Sequence, residues 1–456
     1  MSTAESQRHV HVNLVLPRGR QVKAGELRTM SRTGYQRASL MFEYDVAFLT
    51  DAEQYPLSPD LPAVRGPQYV PGWTMMFGAL ADAMPDQWGR HLIQSESRRQ
   101  AGHKGQAWSP LDEMGLLLSV DDVSRQGAVR LSDPHTGEFL ARPTTTPRSV
   151  MALPHLLEAA QRYEAGEETE QDILALLEVG TSAGGARPKV GVTTPTGRLA
   201  IAKLPSIRDR GDVGAWEAAC LTMAKRSGID TPPFTLHRLG EGRSALVVER
   251  FDRTEDGTRL GYLSAATLTQ KRPSDALDYV TLAQLLAERS AKPRRDLPEL
   301  FRRIVFTLLV NNVDDHMKNH GVIRHADGWR LSPMFDVNPA MFAGIVDSTP
   351  LTPTGDPSDR DIRDLIAECE NFDLTTKQAR HIVAEVLVGT ADWATVATGL
   401  GVSAEAAAVA AGAFENANTR RARALTSEQQ AAPRPRTRLA PHDPLAGGDA
   451  SPQQSL

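Results

Sequence analysis

The sequence predicts an α+β fold with a β-containing N-terminal part and an all-helical C-terminal lobe. Apolar residues alternate with polar ones over residues 9–17, and residues 40–44 form a second short apolar run. Alternation with a period of two is typical of strands that bury one face. From residue 275 onward, apolar residues recur every three to four positions, as at Leu300, Ile304 and Leu308. That spacing is typical of amphipathic helices that pack together.

The composition argues against several classes of protein. The chain has 456 residues, enough for two or three domains, and a formal net charge of −5. A mildly acidic chain does not bind nucleic acid through its bulk charge, although a local basic patch would still allow contact. The 2 cysteines fit neither a disulfide framework nor a zinc site, and no apolar stretch is as long as a membrane span. We therefore expect a cytoplasmic protein that does not bind a membrane.

The most informative stretch is residues 311–339, which follows an apolar helical run. Asp314 stands just after the predicted helix, Asn319 lies in the same loop, and Asp336 follows a predicted hairpin over residues 321–330. Such a carboxylate can orient a substrate hydroxyl, while the amide and the second carboxylate can ligate Mg²⁺. Protein kinases use this order of groups. The spacing therefore predicts phosphoryl transfer from ATP with Mg²⁺ as cofactor.

A glycine-rich segment at residues 180–189 fits the same chemistry. Small residues let backbone N–H groups come close to phosphate oxygens. The segment lacks the final Gly-Lys-Ser/Thr of a Walker loop, and by itself it also fits a structural turn. The residues alone leave this choice open, and the residues that would cover the phosphates are Ser182, Ala183, Gly184, Gly185 and Ala186.

Lys203 ends a short apolar strand, where an ammonium is costly unless it finds an anion. An ATP phosphate would serve, as would the carboxylate of Glu217 on the following predicted helix. The two residues match the Lys–Glu ion pair of kinases. The alternative is a lysine whose stem lies on the surface and whose charge reaches water.

These segments together resemble the HipA family of toxin–antitoxin serine/threonine kinases. The resemblance extends roughly from His9 to the C-terminal low-complexity segment. It implies a protein-kinase-like fold. The chain departs from eukaryotic-type kinases, because Asp314 precedes His316 and Phe335-Asp336-Val337 replaces Asp-Phe-Gly. The segments that carry the resemblance are residues 42–44, 58–62, 85–90, 180–189, 312–319 and 331–336.

The resemblance implies a role for each residue of the site. Asp314 would deprotonate a protein Ser or Thr hydroxyl, and Lys318 would stabilise charge on the transferred phosphate. We expect His316 to fix the loop by hydrogen bonds. Lys203 would clamp the phosphates, and Mg²⁺ would be held by Asn319 and Asp336. The backbone of an inter-lobe hinge would contact adenine at Glu249, Arg250 and Phe251, while the side chains of Arg250 and Asp252 are expected to form a structural ion pair.

The resemblance also implies a biological setting. The chain would be a toxin that arrests growth by phosphorylating a component of translation. Its partner would be a cognate antitoxin that binds DNA, so this chain would contact DNA mainly through the antitoxin. A loop serine of the family is autophosphorylated, and Ser182 matches it by position, with Thr181 as the rival acceptor.

Two other functions remain open from the residues alone. One is a nucleotide-bound pseudokinase that only co-represses transcription with its partner. The other is a small-molecule kinase, which would use the same motif chemistry with a different acceptor cleft.

Composition shifts predict four regions. Residues 1–148 would form a β-rich HipA-type domain that ends at a Pro- and Thr-rich segment. Residues 149–270 would form the ATP-binding lobe, and residues 271–427 the helical catalytic lobe. Residues 428–456 are rich in Pro, Gln, Arg and Ala, so we expect a disordered tail.

Overall fold

The computed structural model describes residues 8–30, 39–140, 148–177, 185, 187–240, 242–270, 277–340 and 347–431. One apolar core runs through these residues, from Val10 to Ala422. Its continuity means that the N-terminal part packs directly against the rest of the chain. Within the described ranges, no helix is both long and apolar enough to cross a bilayer.

The N-terminal part is built on an antiparallel sheet of five strands with the order β4-β3-β2-β1-β5. The strands are β1 (His9–Val15), β2 (Gln21–Met30), β3 (Ser39–Tyr44), β4 (Pro67–Tyr69) and β5 (Val129–Ser132). Four helices accompany them: α1 (Val46–Leu49), α2 (Gly78–Ala81), α3 (Gln87–His103) and α4 (Glu113–Leu118). The strands predicted at residues 9–17 and 40–44 are confirmed by β1 and β3. Helix α3 begins after Asp86, whose side chain accepts a bond from the Gly89 amide and caps the helix.

The middle of the chain forms a second sheet with the order β6-β7-β8-β10-β9. Its strands are β6 (Arg148–Ser149), β7 (Lys189–Thr193), β8 (Leu199–Lys203), β9 (Phe234–Arg238) and β10 (Ser244–Glu249). Its helices are α5 (Leu153–Ala165), α6 (Glu170–Leu177) and α7 (Val213–Arg226). Helix α7 approaches β10 so closely that a Cβ at Gly214 would lie 2.6 Å from the Ser244 carbonyl oxygen. Glycine at that position lets the helix lie flat on the strand.

The C-terminal part is mainly helical. Its helices are α8 (Ala265–Thr269), α9 (Tyr279–Arg289), α10 (Pro293–Leu309), α11 (Ile362–Ala367), α12 (Thr376–Thr390), α13 (Trp393–Gly399), α14 (Ala404–Phe414) and α15 (Ala417–Ala431). Three short 3-10 helices occur at Val150–Ala152, Met317–Asn319 and Cys369–Phe372. The remaining strands are β11 (Gly261–Ser264), β12 (Asp314–Asp315), β13 (Gly321–His325), β14 (Gly328–Leu331) and β15 (Asp347–Ser348).

The α+β class is confirmed, but the description of the C-terminal lobe as all-helical is wrong. Strands β11, β13 and β14 form a small sheet, and β12 pairs with β15 in parallel. The predicted hairpin is part of that sheet, and its turn ends at Gly328, whose φ is 136°. β11 pairs with β13 and covers an edge of the hairpin that would otherwise be exposed.

Two helix boundaries also differ from expectation. The sequence of residues 404–425 predicts a single helix, but the chain forms α14 and α15 with a break at Asn416. The Asn416 side-chain amide donates to the carbonyl oxygens of Leu308 and Leu309, at 3.0 and 3.1 Å, and so covers the end of α10. α15 continues to Ala431, past the predicted start of the tail, and residues 432–456 lie outside the described residues.

Candidate active site

A cleft of about 530 Å³ lies between the N-terminal part, the second sheet and the loop before β13. It brings together most of the side chains that the sequence singled out. Ser182, Ala183, Gly184 and Ala186 lie outside the described residues, as does Thr181. The predicted residues that line the cleft are Gly185, Lys203, Glu249, Arg250, Phe251, Asp314, His316, Lys318, Asn319 and Asp336, and Glu217 lines it as well.

Lys203 joins two carboxylates at one wall of the cleft. Its Nζ donates to Glu217 Oε1 at 2.7 Å and to Asp336 Oδ1 at 2.7 Å. Burial alone would lower the pKa of Lys203, but the charges of Asp336 and Glu217 outweigh burial and hold that pKa well above its ordinary value. The lysine is therefore a permanent cation that faces the cleft.

A second lysine stands directly beside the first. Lys189 on β7 is the register partner of Lys203 on β8, so both side chains leave the same face of the sheet. Like charges in such a pair repel each other. Lys189 is buried, and its Nζ lies 3.0 Å from Asp86 Oδ2. Three carboxylates, those of Asp86, Glu217 and Asp336, thus offset two ammonium groups.

The N-terminal part reaches the site through the start of α3. Asp86 supplies the carboxylate for Lys189, and the Trp88 amide donates to the Gly185 carbonyl oxygen at 3.3 Å. Both contacts hold the end of the glycine-rich segment. From the sequence, residues 85–90 carried the family resemblance, and their side chains had no predicted role at the cleft; Trp88 is buried. The available sequence signal for this contact was Asp86, a helix-capping carboxylate close to Trp88.

Asp336 has a backbone conformation that L residues rarely adopt. Its φ is 57°, in the left-handed region. Such a conformation costs about 1 kcal/mol or more and persists where the surroundings require it. Here it turns the carboxylate toward Lys203. Burial alone would raise the pKa of Asp336, but the charges of Lys203 and Lys189 lower it, so the group stays ionised.

The loop after α10 presents Asp314 to the cleft. The Asp314 side chain is 77% exposed, and His316 Nε2 lies 3.8 Å from its Oδ1, too far for a hydrogen bond. His316 Nδ1 is buried and has no hydrogen-bond partner among the described residues, so the expectation that this side chain fixes the loop by hydrogen bonds is wrong. Asn319 Nδ2 donates to the Asp314 carbonyl oxygen at 3.0 Å and closes the loop. Because that bond uses the amide nitrogen, Oδ1 is the atom of Asn319 that could ligate a cation.

Asp315 anchors the same loop from below, and sequence reasoning missed this role. Its carboxylate accepts bonds from Tyr279 Oη, from His320 Nε2 at 3.0 Å and from Arg360 Nη1 at 3.0 Å. Arg360 also donates to the Asn312 carbonyl oxygen at 2.6 Å. Burial would raise the pKa of Asp315, but these partners lower it. The buried network fixes the backbone on both sides of Asp314.

The hinge at residues 249–251 offers fewer backbone groups to adenine than expected. The amides of Glu249 and Arg250 already donate to the carbonyl oxygens of Pro233 and Leu199, at 2.8 and 2.9 Å. They cannot also donate to a purine, so carbonyl oxygens and Phe251 are left for that contact. The Phe251 ring lies 5.3 Å from that of Phe335, between centroids. This aromatic pair lines the cleft and offers an apolar face on which a base can stack.

The structural interpretation of Arg250 and Asp252 is confirmed. Arg250 Nη2 donates to Asp252 Oδ2 at 2.6 Å, and both residues are buried. Asp252 also accepts from the Gly127 amide at 2.7 Å, and Arg250 donates to the Ser124 carbonyl oxygen. The pair thus ties the hinge to the loop before β5.

Two family models match the chain. The HipA N-terminal domain matches residues 20–129, and the HipA-like C-terminal domain matches residues 181–394. Together they span more than half of the chain. All residues that line the cleft fall within the two matched ranges.

The chain belongs to the HipA family.

Relatives and a solved structure agree with this assignment. Two proteins of Sinorhizobium fredii (strain NBRC 101917 / NGR234) are similar to it, the candidate kinases Y4mE and Y4dM. Y4mE is 27% identical over 323 residues, which cover 65% of this chain and 71% of Y4mE. Y4dM is 31% identical over 166 residues, which cover 32% of this chain and 39% of Y4dM.

The solved structure is a HipA of Shewanella oneidensis MR-1, determined with HipB and its operator DNA. It matches with a TM-score of 0.63 at 16% identity, over 92% of this chain and 98% of that one. Identity at this level supports the fold alone, and the predicted HipA-like α+β fold is therefore confirmed.

The donor groups of this HipA-family chain fit Mg²⁺. Mg²⁺ prefers hard oxygen ligands and usually takes only one or two from the protein. Asn319 Oδ1 and the ionised carboxylate of Asp336 are such ligands, and both residues line the cleft. Lys203, held beside Asp336, lines the same cleft.

Proposed function

We propose that the chain is an ATP- and Mg²⁺-dependent serine/threonine protein kinase that acts as the toxin of a toxin–antitoxin pair. One observation supports this most strongly: Lys203 Nζ contacts Glu217 and Asp336 at 2.7 Å each, in the cleft that Asp314 and Asn319 also line. Kinases need a phosphate-binding cation, metal ligands and a carboxylate for the acceptor hydroxyl in one cleft.

Each group has a distinct task in this proposal. Asp314 accepts the proton of the acceptor hydroxyl as its oxygen attacks the terminal phosphorus of ATP, the bond from that phosphorus to the bridging oxygen breaks, and ADP leaves. Lys203 neutralises phosphate oxygens and orients the nucleotide, and Lys318 stabilises charge on the transferred group. Bound Mg²⁺, held by Asn319 and Asp336, would offset the negative charge of the phosphates.

The partner and the substrate are proposed by analogy with the family. HipA of Shewanella oneidensis was solved with HipB and operator DNA, and we propose a cognate DNA-binding antitoxin for this chain. A formal net charge of −5 favours leaving DNA contact mainly to that partner. The proposed acceptor is a protein of translation.

Autophosphorylation of Ser182 is proposed as the self-regulation. A phosphoserine adds roughly −1.5 to −2 charges, which would repel ATP from the loop. Two basic groups lie just beyond the loop, but Arg187 pairs with Asp209 and Lys189 with Asp86. The phosphate would have to compete with those carboxylates. Mass spectrometry of the purified chain tests this, because an active enzyme exposed to ATP with unmodified Ser182 contradicts it.

Transfer of labelled phosphate tests the enzyme class. The chain is incubated with Mg²⁺, γ-labelled ATP and phosphatase-treated bacterial lysate, beside Asp314→Asn and a matched control, Asp327→Asn, a surface carboxylate of the β13–β14 turn. The proposal predicts label in protein for the wild type and the control, and none for Asp314→Asn. Binding of ATP without any transfer would favour the pseudokinase, and label confined to small molecules would favour the small-molecule kinase.

A further inference from the structure

A second groove of about 510 Å³ opens from the proposed catalytic cleft. The two cavities share six residues, so the groove is continuous with the catalytic loop rather than a separate surface feature. Those residues are Ala81, Asp82, Met84, Arg90, Ser264 and Lys318. Anything seated in the groove would end beside Lys318, which stands one residue before Asn319.

The outer part of the groove is apolar. Trp73 and Met75 line it, and each is 47% exposed, although large apolar side chains are usually buried. Half-exposed aromatic and Met side chains beside a concavity are typical of sites that bind other molecules. Both residues belong to the segment between β4 and α2, in the N-terminal part.

The inner part is polar and preformed. Asp82 accepts from the Ser264 amide at 2.8 Å and from the Ser264 hydroxyl at 2.7 Å, which joins the N-terminal part to the start of α8. Arg90 Nη2 donates to Glu113 Oε2 at 3.1 Å. These bonds to protein partners hold the polar side chains of the groove in place, which lowers the cost of ordering them when a segment binds.

We propose that this groove binds the polypeptide segment that carries the acceptor Ser or Thr. Trp73 and Met75 would hold an apolar side chain of that segment. The bound segment would then continue along Asp82 and present its Ser or Thr hydroxyl at Asp314. The proposal rests on the proposed kinase function and deepens it. It assigns substrate selection to the N-terminal part.

The shape and position of the groove favour this occupant over others. An open groove that runs from an apolar rim to a polar floor suits an extended segment with side chains of both kinds. A small acceptor such as a sugar would occupy only the inner end and would leave Trp73 and Met75 unused. A segment of the antitoxin is less well supported, because the groove leads to the reacting groups.

The test compares the double variant Trp73→Ala/Met75→Ala with the wild type. Met151→Ala is the matched control, because Met151 is 84% exposed and lies away from the groove. The probe is phosphatase-treated bacterial lysate protein with γ-labelled ATP. The double variant should need about tenfold more lysate protein for half-maximal transfer, as for loss of an anchoring pair. The affinity of the double variant for ATP, measured by titration, should equal that of the wild type. Met151→Ala should match the wild type in both ATP affinity and the amount of lysate protein needed.

Three results would overturn the proposal. The first is an unchanged dependence on acceptor protein in the double variant. The second is an equal weakening of ATP binding, which would show that Trp73 and Met75 act on the nucleotide site. The third is loss of antitoxin binding with normal acceptor dependence, which would assign the groove to the antitoxin. If the wild type labels no protein at all, the kinase function itself fails, and that outcome is seen before any variant is compared.

Discussion

Asp314 and Asp315 are neighbours in the chain but lie in opposite environments. The Asp314 side chain is 77% exposed and faces the cleft, whereas that of Asp315 is 3% exposed and bonds to His320 and Arg360. Two residues of one type thus divide the work. The exposed carboxylate is available for chemistry, and the buried one holds the loop in place.

Replacing Asp315 should destabilise the fold. Asp315→Ala would leave Arg360 buried without its carboxylate, and breaking a buried pair in this way costs about 3–5 kcal/mol. Urea denaturation should show that loss in the free energy of unfolding. Asp314→Ala is the control and should change it by less than about 0.5 kcal/mol, the range for surface substitutions. Equal stability of the two variants would mean that the buried network does not support the loop.

Replacing Glu217 should weaken use of ATP without unfolding the chain. Glu217→Gln keeps a hydrogen-bond acceptor for Lys203 but removes one of its two charged partners. Lys203 would then be drawn toward Asp336 and away from phosphate. We expect kcat/KM for ATP to fall about ten- to hundredfold, a typical range for loss of an electrostatic group. Steady-state kinetics measure this. A wild-type kcat/KM would show that Glu217 does not support the use of ATP.

Asp82 should make stability depend on pH. Partial burial raises its pKa from the ordinary 3.8 to about 6, against the lowering effect of its bonds from Ser264. Because the folded state binds this proton more tightly than the unfolded chain, ionisation of Asp82 costs stability above pH 6, and the cost disappears below pH 4. Asp82→Asn should therefore stabilise the chain at about pH 8.

The gain should be about 1–2 kcal/mol, less than the full pKa shift implies because Asp82 is only partly buried. Near pH 4 the substitution should have little effect, since Asp82 is then protonated in both states. Urea denaturation at the two pH values measures the difference. A larger gain in stability at the lower pH would contradict a raised pKa for Asp82.

Removing the end of the chain should change little. Residues 432–456 lack apolar periodicity and are rich in Pro, Arg and Gln. Truncation after Ala431 keeps all of α15, and it should leave both Tm and ATP affinity at their full-length values. Calorimetry and ATP titration check this. A drop in Tm of several degrees would show that the removed segment packs on the folded part.

The sequence was most informative where chemistry limits the choice of residue. Asp314, Asn319 and Asp336 were found because kinases use Asp, Asn and Asp in that order along the chain. Lys203 was found because an ammonium at the end of an apolar strand needs an anion, and the cleft contains all four residues. Periodicity likewise predicted most strands and helices, because burial of one face imposes it.

What the sequence did not reveal depends on contacts between distant segments. Asp86 pairs with Lys189 across about a hundred residues of chain, and Asp315 with Arg360 across the β13–β14 hairpin. A single sequence carries no signal for which charge meets which. The expected contact of the hinge backbone with adenine has the same limit, because the amides of Glu249 and Arg250 donate to the carbonyl oxygens of Pro233 and Leu199, and periodicity does not show such pairs.

The most direct test of the account separates the two carboxylates that act on different atoms. ATP affinity with and without Mg²⁺, and transfer of γ-labelled phosphate to lysate protein, are measured together for wild type, Asp314→Asn and Asp336→Asn. We predict that Asp314→Asn binds Mg²⁺ and ATP normally but transfers on the order of a thousandfold more slowly. Asp336→Asn should lose the gain in ATP affinity from Mg²⁺ as well as transfer. Transfer at the wild-type rate by Asp314→Asn would contradict the account.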